Sequence, residues 1–138
     1  MPGSYMIDVP RRILFSRGWG AVTDADVTSH AEALRADSRF DPAFRQIVDF
    51  REVSAFRVTS SGVQQVATHN PFRPDARRGF VVTLDQAFEM LHMFGLYTEA
   101  DANQFGIFRA LEPAMEWVGL EPGTPWPSQA PDATFGGQ

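Results

Sequence analysis

Residues Ile47–Gly62 read IVDFREVSAFRVTSSG. Ile47 and Val48 are consecutive apolar residues, so the strand expected over Arg45–Phe50 has both faces covered and lies inside a sheet. Asp49 is expected to end it, with a turn-like connection behind. Thr59-Ser60-Ser61-Gly62 then reads as a helix start, because a hydroxyl there can accept from a free N–H of the first turn. Val63, Val66 and Ala67 follow on one face. A buried strand running into a capped amphipathic helix is the repeating unit of an α/β domain.

The same alternation extends in both directions. Tyr5–Val9 and Arg12–Trp19 are strand candidates separated by Pro10, which favours a hairpin. Ile13 and Phe15 face one way and Leu14 the other. A first helix starts at Thr23, with Asp24 and Asp26 at the positive end of its dipole. Val27, Ala31 and Leu34 form its inward stripe. Downstream of the second helix, which Pro71 and Pro74 close, Gly79–Thr83 is a further buried strand. A third helix covers Asp85–Tyr97, a last strand Gln104–Arg109, and a fourth helix Leu111–Val118. Pro113 sits in that helix's first turn, where a missing N–H costs little, and Gly119 caps its end. The expected fold is one α/β domain over residues 1–120, a mixed sheet of about five strands with four helices. The tail, residues 121–138, is rich in proline and glycine and is expected to be irregular or disordered.

The chain has 138 residues, enough for one ordinary core. Cysteine is absent, which removes disulfides, thiolate metal sites and cysteine nucleophiles. A net charge of −5 argues against nucleic acid as a partner. No apolar run is long enough to span a bilayer and no signal peptide is visible, so a cytoplasmic location is the expectation. Arg73, Arg77 and Arg78 are close enough in sequence for a small anion site, although a solvated loop before a strand has the same composition.

In order, these elements resemble the SpoIIAA-like group of STAS domains, the fold of bacterial anti-sigma-factor antagonists. The resemblance covers Met6–Leu120. It is carried by Gly20-Ala21-Val22-Thr23, by Val48-Asp49-Phe50, by Arg78-Gly79-Phe80-Val81-Val82, and most specifically by the ending FRALEPAMEWV over Phe108–Val118. It implies a non-enzymatic regulatory or protein-interaction domain that binds a protein partner in bacterial signalling. The fold is also similar in shape to Sec14-type lipid-binding domains, which implies the alternative of a carrier or sensor for a small apolar ligand. In true antagonists an Asp precedes the phospho-acceptor serine. Thr59 stands there in this chain, and the connection from Asp49 to Ser60 is about two residues longer than the usual pattern. Little phosphate is therefore expected on Ser60 or Ser61. Ala110 replaces an Asp helix cap.

Candidate chemistry is sparse. Thr59, Ser60 and Ser61 are candidate regulatory or helix-capping residues. Asp49 suits a structural carboxylate bonded to the following loop. His30, His69 and His92 fall on separate helices, and Glu89 with His92 is the lone pair at metal-ligand spacing. No phosphate-binding glycine loop or nucleophile elbow is present. No enzymatic activity and no cofactor are expected. The third helix is the exception in composition: Ala87, Phe88, Met90, Leu91, Met93, Phe94, Leu96 and Tyr97 give it a wider apolar arc than one sheet face needs. Met90, Met93, Phe94 and Tyr97 are therefore the candidate interface or apolar-ligand surface, with a homodimer as the simplest way to cover it.

Overall fold

The computed structural model describes residues 3–97, 105–121, 123–124 and 133–135. The order is β1 (Gly3–Asp8), β2 (Ile13–Thr23), α1 (Asp24–Ala36), β3 (Arg45–Arg57), α2 (Ser60–Thr68), β4 (Arg78–Val82), α3 (Asp85–Tyr97), β5 (Phe105–Phe108), α4 (Leu111–Trp117) and β6 (Ala133–Phe135). Strands β1 to β5 lie side by side in chain order, and β6 adds to the outer edge of β1. The β1–β2 hairpin is antiparallel, while β2, β3, β4 and β5 are parallel. This is the expected mixed α/β sheet with four helices. The tail departs from its expectation at β6, which pairs antiparallel with Gly3–Tyr5; most of the rest of it lies outside the described residues.

Each parallel crossover moves one strand further in the same direction. With the usual right-handed connection this puts α1, α2 and α3 on one face of the sheet. That face is filled by Leu14 and Leu34 at the α1 end and by Val48, Phe80, Val63 and Leu91 under α2 and α3. The opposite face belongs to α4. Ile13, Phe15, Ile47 and Val81 are buried there against Ala114, Val118 and Leu120. Period-two alternation along β2 and β3 thus feeds two separate cores, which is why Ile47 and Val48 are both buried.

One expectation is corrected. β3 does not end at Asp49 but runs on to Arg57 without a turn. Its far half pairs with an equally extended β2, from Trp19 with Glu52 to Thr23 with Arg57. Register shifts interrupt the ladder between Arg17 and Trp19 and between Gly20 and Ala21, where β3 advances from Asp49 to Glu52 and from Val53 to Ala55. Each step places an extra residue in β3, as in a bulge. The bulges move the inward positions to Val53 and Phe56, both buried. That phase change breaks the alternation and gives FREVSAFR the look of a connection.

Local chemistry explains the helix ends. The Asp26 carboxylate accepts from the Thr23 backbone N–H at 2.8 Å and from its hydroxyl at 3.0 Å. The Thr59 hydroxyl accepts from the Gly62 N–H at 3.0 Å, closing the head of α2. At α4, Gly119 has φ +88°, and its N–H and that of Leu120 return to Glu116 and Met115. This is a Schellman ending, for which glycine is the favoured residue.

Candidate functional site

Between the sheet and helices α1, α2 and α3 lies a cavity of about 90 Å³. Its walls are mainly apolar: Val48 and Phe80 from the sheet, Ala31 and Leu34 from α1, Val63 and Val66 from α2, and Met90, Leu91 and Phe94 from α3. The long β3 contributes Phe56, and Val58 follows it. The bulged extension therefore builds part of the wall that a strand ending at Asp49 would leave open.

A polar line crosses this apolar space. Arg78 opens β4 on the same face as Phe80 and Val82, and is only 8% exposed. Its Nε–H donates to Gln46 Oε1 at 2.8 Å. A guanidinium only donates, so Gln46 must turn its oxygen to Arg78 and its amide nitrogen the other way. That nitrogen donates to Ser16 Oγ at 3.1 Å. Ser16 Oγ also lies 3.0 Å from His30 Nε2, where the tautomer of the ring sets which of the two donates. The positive charge at one end thus fixes the direction of the bonds as far as Ser16. His30 ends the line as a neutral imidazole. Part of the residue is exposed on α1, but its ring turns inward. Burial, helped by the charge of Arg78, pushes its pKa down to about 3.

Arg78 is itself pushed down to about 9 by burial, so it stays protonated near neutral pH. Its Nη1 donates to Asn70 Oδ1 at 3.3 Å. Its plane lies 4.1 Å from the Phe72 ring centre and 5.3 Å from those of Phe80 and Phe94. Among the described residues no carboxylate pairs with it, and none lines the cavity. The other arginine at the cavity, Arg17, pairs with Glu52 and stacks on Trp19.

The three arginines of the Arg73–Arg78 stretch go separate ways. Arg73 pairs with Asp75 on the surface. Arg77 donates to the Trp117 carbonyl at the end of α4 and packs on that indole. Arg78 alone enters the core. Its signal was present in the sequence: Arg78, Phe80 and Val82 share one strand face, so a buried guanidinium follows from period-two counting.

The other candidates are placed as follows. Met90 and Phe94 line the cavity, and Met93 is half-buried against the same core. Nothing is described for the Tyr97 side chain. Thr59, Ser60 and Ser61 are exposed at the head of α2, away from the cavity. Asp49 is buried on the α4 face and accepts three bonds from Arg51, including its backbone N–H at 3.0 Å. His92 bonds its own helix at the Phe88 carbonyl. Among the described residues no three His, Asp or Glu side chains form a group suited to a metal ion, and no helix is long and apolar enough to cross a membrane.

No protein-family model matches the chain, and no curated protein matches it significantly.

Proposed function

We propose that this chain is a binding domain, a carrier or sensor, whose ligand is a small molecule with a substantial apolar part held between the sheet and α1–α3. The observation that carries this reading is the cavity itself. It is lined mainly by aliphatic and aromatic side chains, yet it is crossed by a few fixed polar groups, the usual make-up of a small-molecule site. The wide apolar arc of α3 is accounted for in part by this cavity, since Met90 and Phe94 face it. Regulation of a protein partner, as the STAS-like resemblance implies, would then be the response to occupancy.

Catalysis is disfavoured. Ser16 and His30 have the separation of a nucleophile and its base, but an imidazole with a pKa of about 3 has little tendency to take a hydroxyl proton. The backbone around Ser16 is paired with strands on both sides, so it offers no free N–H groups to an oxyanion.

The test is titration of the full chain with 1-octanol, followed by amide NMR. Shifts concentrated at Ala31, Val63 and Leu91 support the reading. Shifts confined to surface residues, or none, overturn it. Native mass spectrometry of protein purified from its own host would identify a retained ligand.

A second reading, self-association through α3, is supported by Leu96, which is 80% exposed, while Met93 beside it is half-buried. Sedimentation at micromolar concentration tests it: a dimer that Leu96→Glu dissociates supports it, and a monomeric wild type overturns it.

A further inference from the structure

We propose that the ligand of the cavity is a monocarboxylate with an apolar tail, its carboxylate held by the Nη2 edge of Arg78. The proposal rests on the reading of the cavity as a binding site and adds the chemical class of its occupant.

Three observations carry it. The first is charge. Arg78 places a full positive charge in a largely apolar space, where its hydrogen-bond partners, Gln46 and Asn70, are neutral. Burying an ion without a counter-charge is costly, and proteins ordinarily supply a carboxylate beside it. Here no acidic residue among the described residues lines the cavity. The second is geometry. Gln46 takes the Nε side and Asn70 takes Nη1, while Nη2 has no hydrogen-bond partner among the described residues. No fully enclosed side-chain nitrogen or oxygen among them lacks a partner. Nη2 is therefore not sealed off, and it belongs to a residue that lines the cavity. The third is the surroundings. Phe72, Phe80 and Phe94 pack around the guanidinium and hold its plane. The apolar wall continues from there to Val63, Phe56 and Met90, where a tail would lie.

The charge balance selects a monoanion. His30 is neutral, so the site offers one positive charge, and a dianionic phosphate would leave one negative charge unmatched in apolar surroundings. A planar carboxylate matches the flat donor edge of a guanidinium. The volume of about 90 Å³ is smaller than the roughly 150 Å³ cavity that holds benzene, so it takes the carboxylate and the first few carbons, and the rest of an aliphatic tail lies along the open side of the cavity.

The experiment is isothermal titration of the full chain with octanoate, 1-octanol and octyl phosphate, in the wild type, Arg78→Met and Arg78→Lys. Octanoate should bind the wild type at least about tenfold more tightly than 1-octanol, as expected for a charge-assisted contact. Arg78→Met should reverse that order, and Arg78→Lys should recover part of it. Equal binding of octanoate and 1-octanol would overturn the carboxylate while leaving the cavity reading intact. Tighter binding of octyl phosphate would overturn the monoanion. Binding of none of the three would overturn the cavity reading as well. Should Arg78→Met fail to fold, the comparison of the three ligands in the wild type still decides.

Discussion

Asp24 at the start of α1 holds Thr59 at the start of α2 by two bonds. Its Oδ1 accepts the Thr59 backbone N–H at 2.8 Å and its Oδ2 accepts the Thr59 hydroxyl at 2.7 Å. The same hydroxyl oxygen accepts the Gly62 N–H. One carboxylate therefore docks two helix heads and already supplies negative charge at the α2 N-terminus, the place where an anion is favoured. A phosphate on Ser60 or Ser61 would meet that carboxylate at close range.

This docking gives a double-mutant prediction. A Cβ on Gly62 would fall 2.0 Å from Asp24 Oδ1, so Gly62→Ala must expel the carboxylate. Alanine is the better helix former by about 1 kcal/mol, yet Gly62→Ala should destabilise by about 1–2 kcal/mol through loss of the cap. In an Asp24→Ala background the same change should be neutral or stabilising. Urea midpoints of the four proteins measure the coupling, and strict additivity would show that Asp24 does not hold the turn.

The helices and the parallel core were legible because their patterns are local. Val27, Ala31 and Leu34 repeat with the helix, and Thr23 and Thr59 mark its starts. The far half of β3 was not legible, because two extra residues shift its phase and scatter Val53 and Phe56 out of alternation. Its partner β2, which makes the extension a strand, is distant in sequence. The cavity was half legible. The apolar excess of α3 pointed to Met90 and Phe94, but the polar line of Ser16, His30, Gln46 and Arg78 joins three strands and a helix. No spacing rule connects those residues. Arg78 reads in sequence as a member of a basic loop, and only period-two counting with Phe80 and Val82 places it on the inward face of β4.

His30 sets a pH dependence. Its pKa falls from an ordinary 6.5 to about 3 in the folded chain. The unfolded chain therefore binds a proton that the folded chain refuses. Stability from this group is fully present above 6.5 and is lost as pH falls toward about 3, at up to about 1.4 kcal/mol per pH unit. Asp37 acts lower down: its hydrogen bond from Arg39 holds it at about 2, so its contribution fades only below 3.8. Urea unfolding should weaken between about pH 6.5 and about pH 4.5 in the wild type and change less in His30→Gln. A flat wild-type profile would mean that the imidazole is not held neutral.

Arg45 should matter for α4. It donates to the Val118 carbonyl at 2.8 Å and to the Arg11 carbonyl at 2.6 Å, tying the end of α4 to the β1–β2 turn. A cation at a helix C-terminus also complements its dipole. Arg45→Met should cost about 1–2 kcal/mol, with thermal melting as the readout, and Arg45→Lys should recover only part because it has one charged nitrogen for two separated carbonyls. An unchanged melting temperature in Arg45→Met would show that solvent satisfies those carbonyls equally well.

Filling the cavity separates its two roles, as packing defect and as binding site. Ala31 lies on α1, is 6% exposed and lines the cavity. Ala31→Leu adds three carbons to that space. Burying them contributes about 0.8 kcal/mol per methylene, while imperfect fit costs about 1–3 kcal/mol. The two nearly cancel, so stability should stay within about 1 kcal/mol of the wild type or rise slightly. Octanol and octanoate should both lose at least about tenfold in affinity, since the added side chain takes the volume the tail needs. Leu96→Glu, on the outer surface of α3, should leave both ligands unaffected. If Ala31→Leu folds normally and still binds 1-octanol as the wild type does, the cavity is a packing defect and the ligand site lies elsewhere.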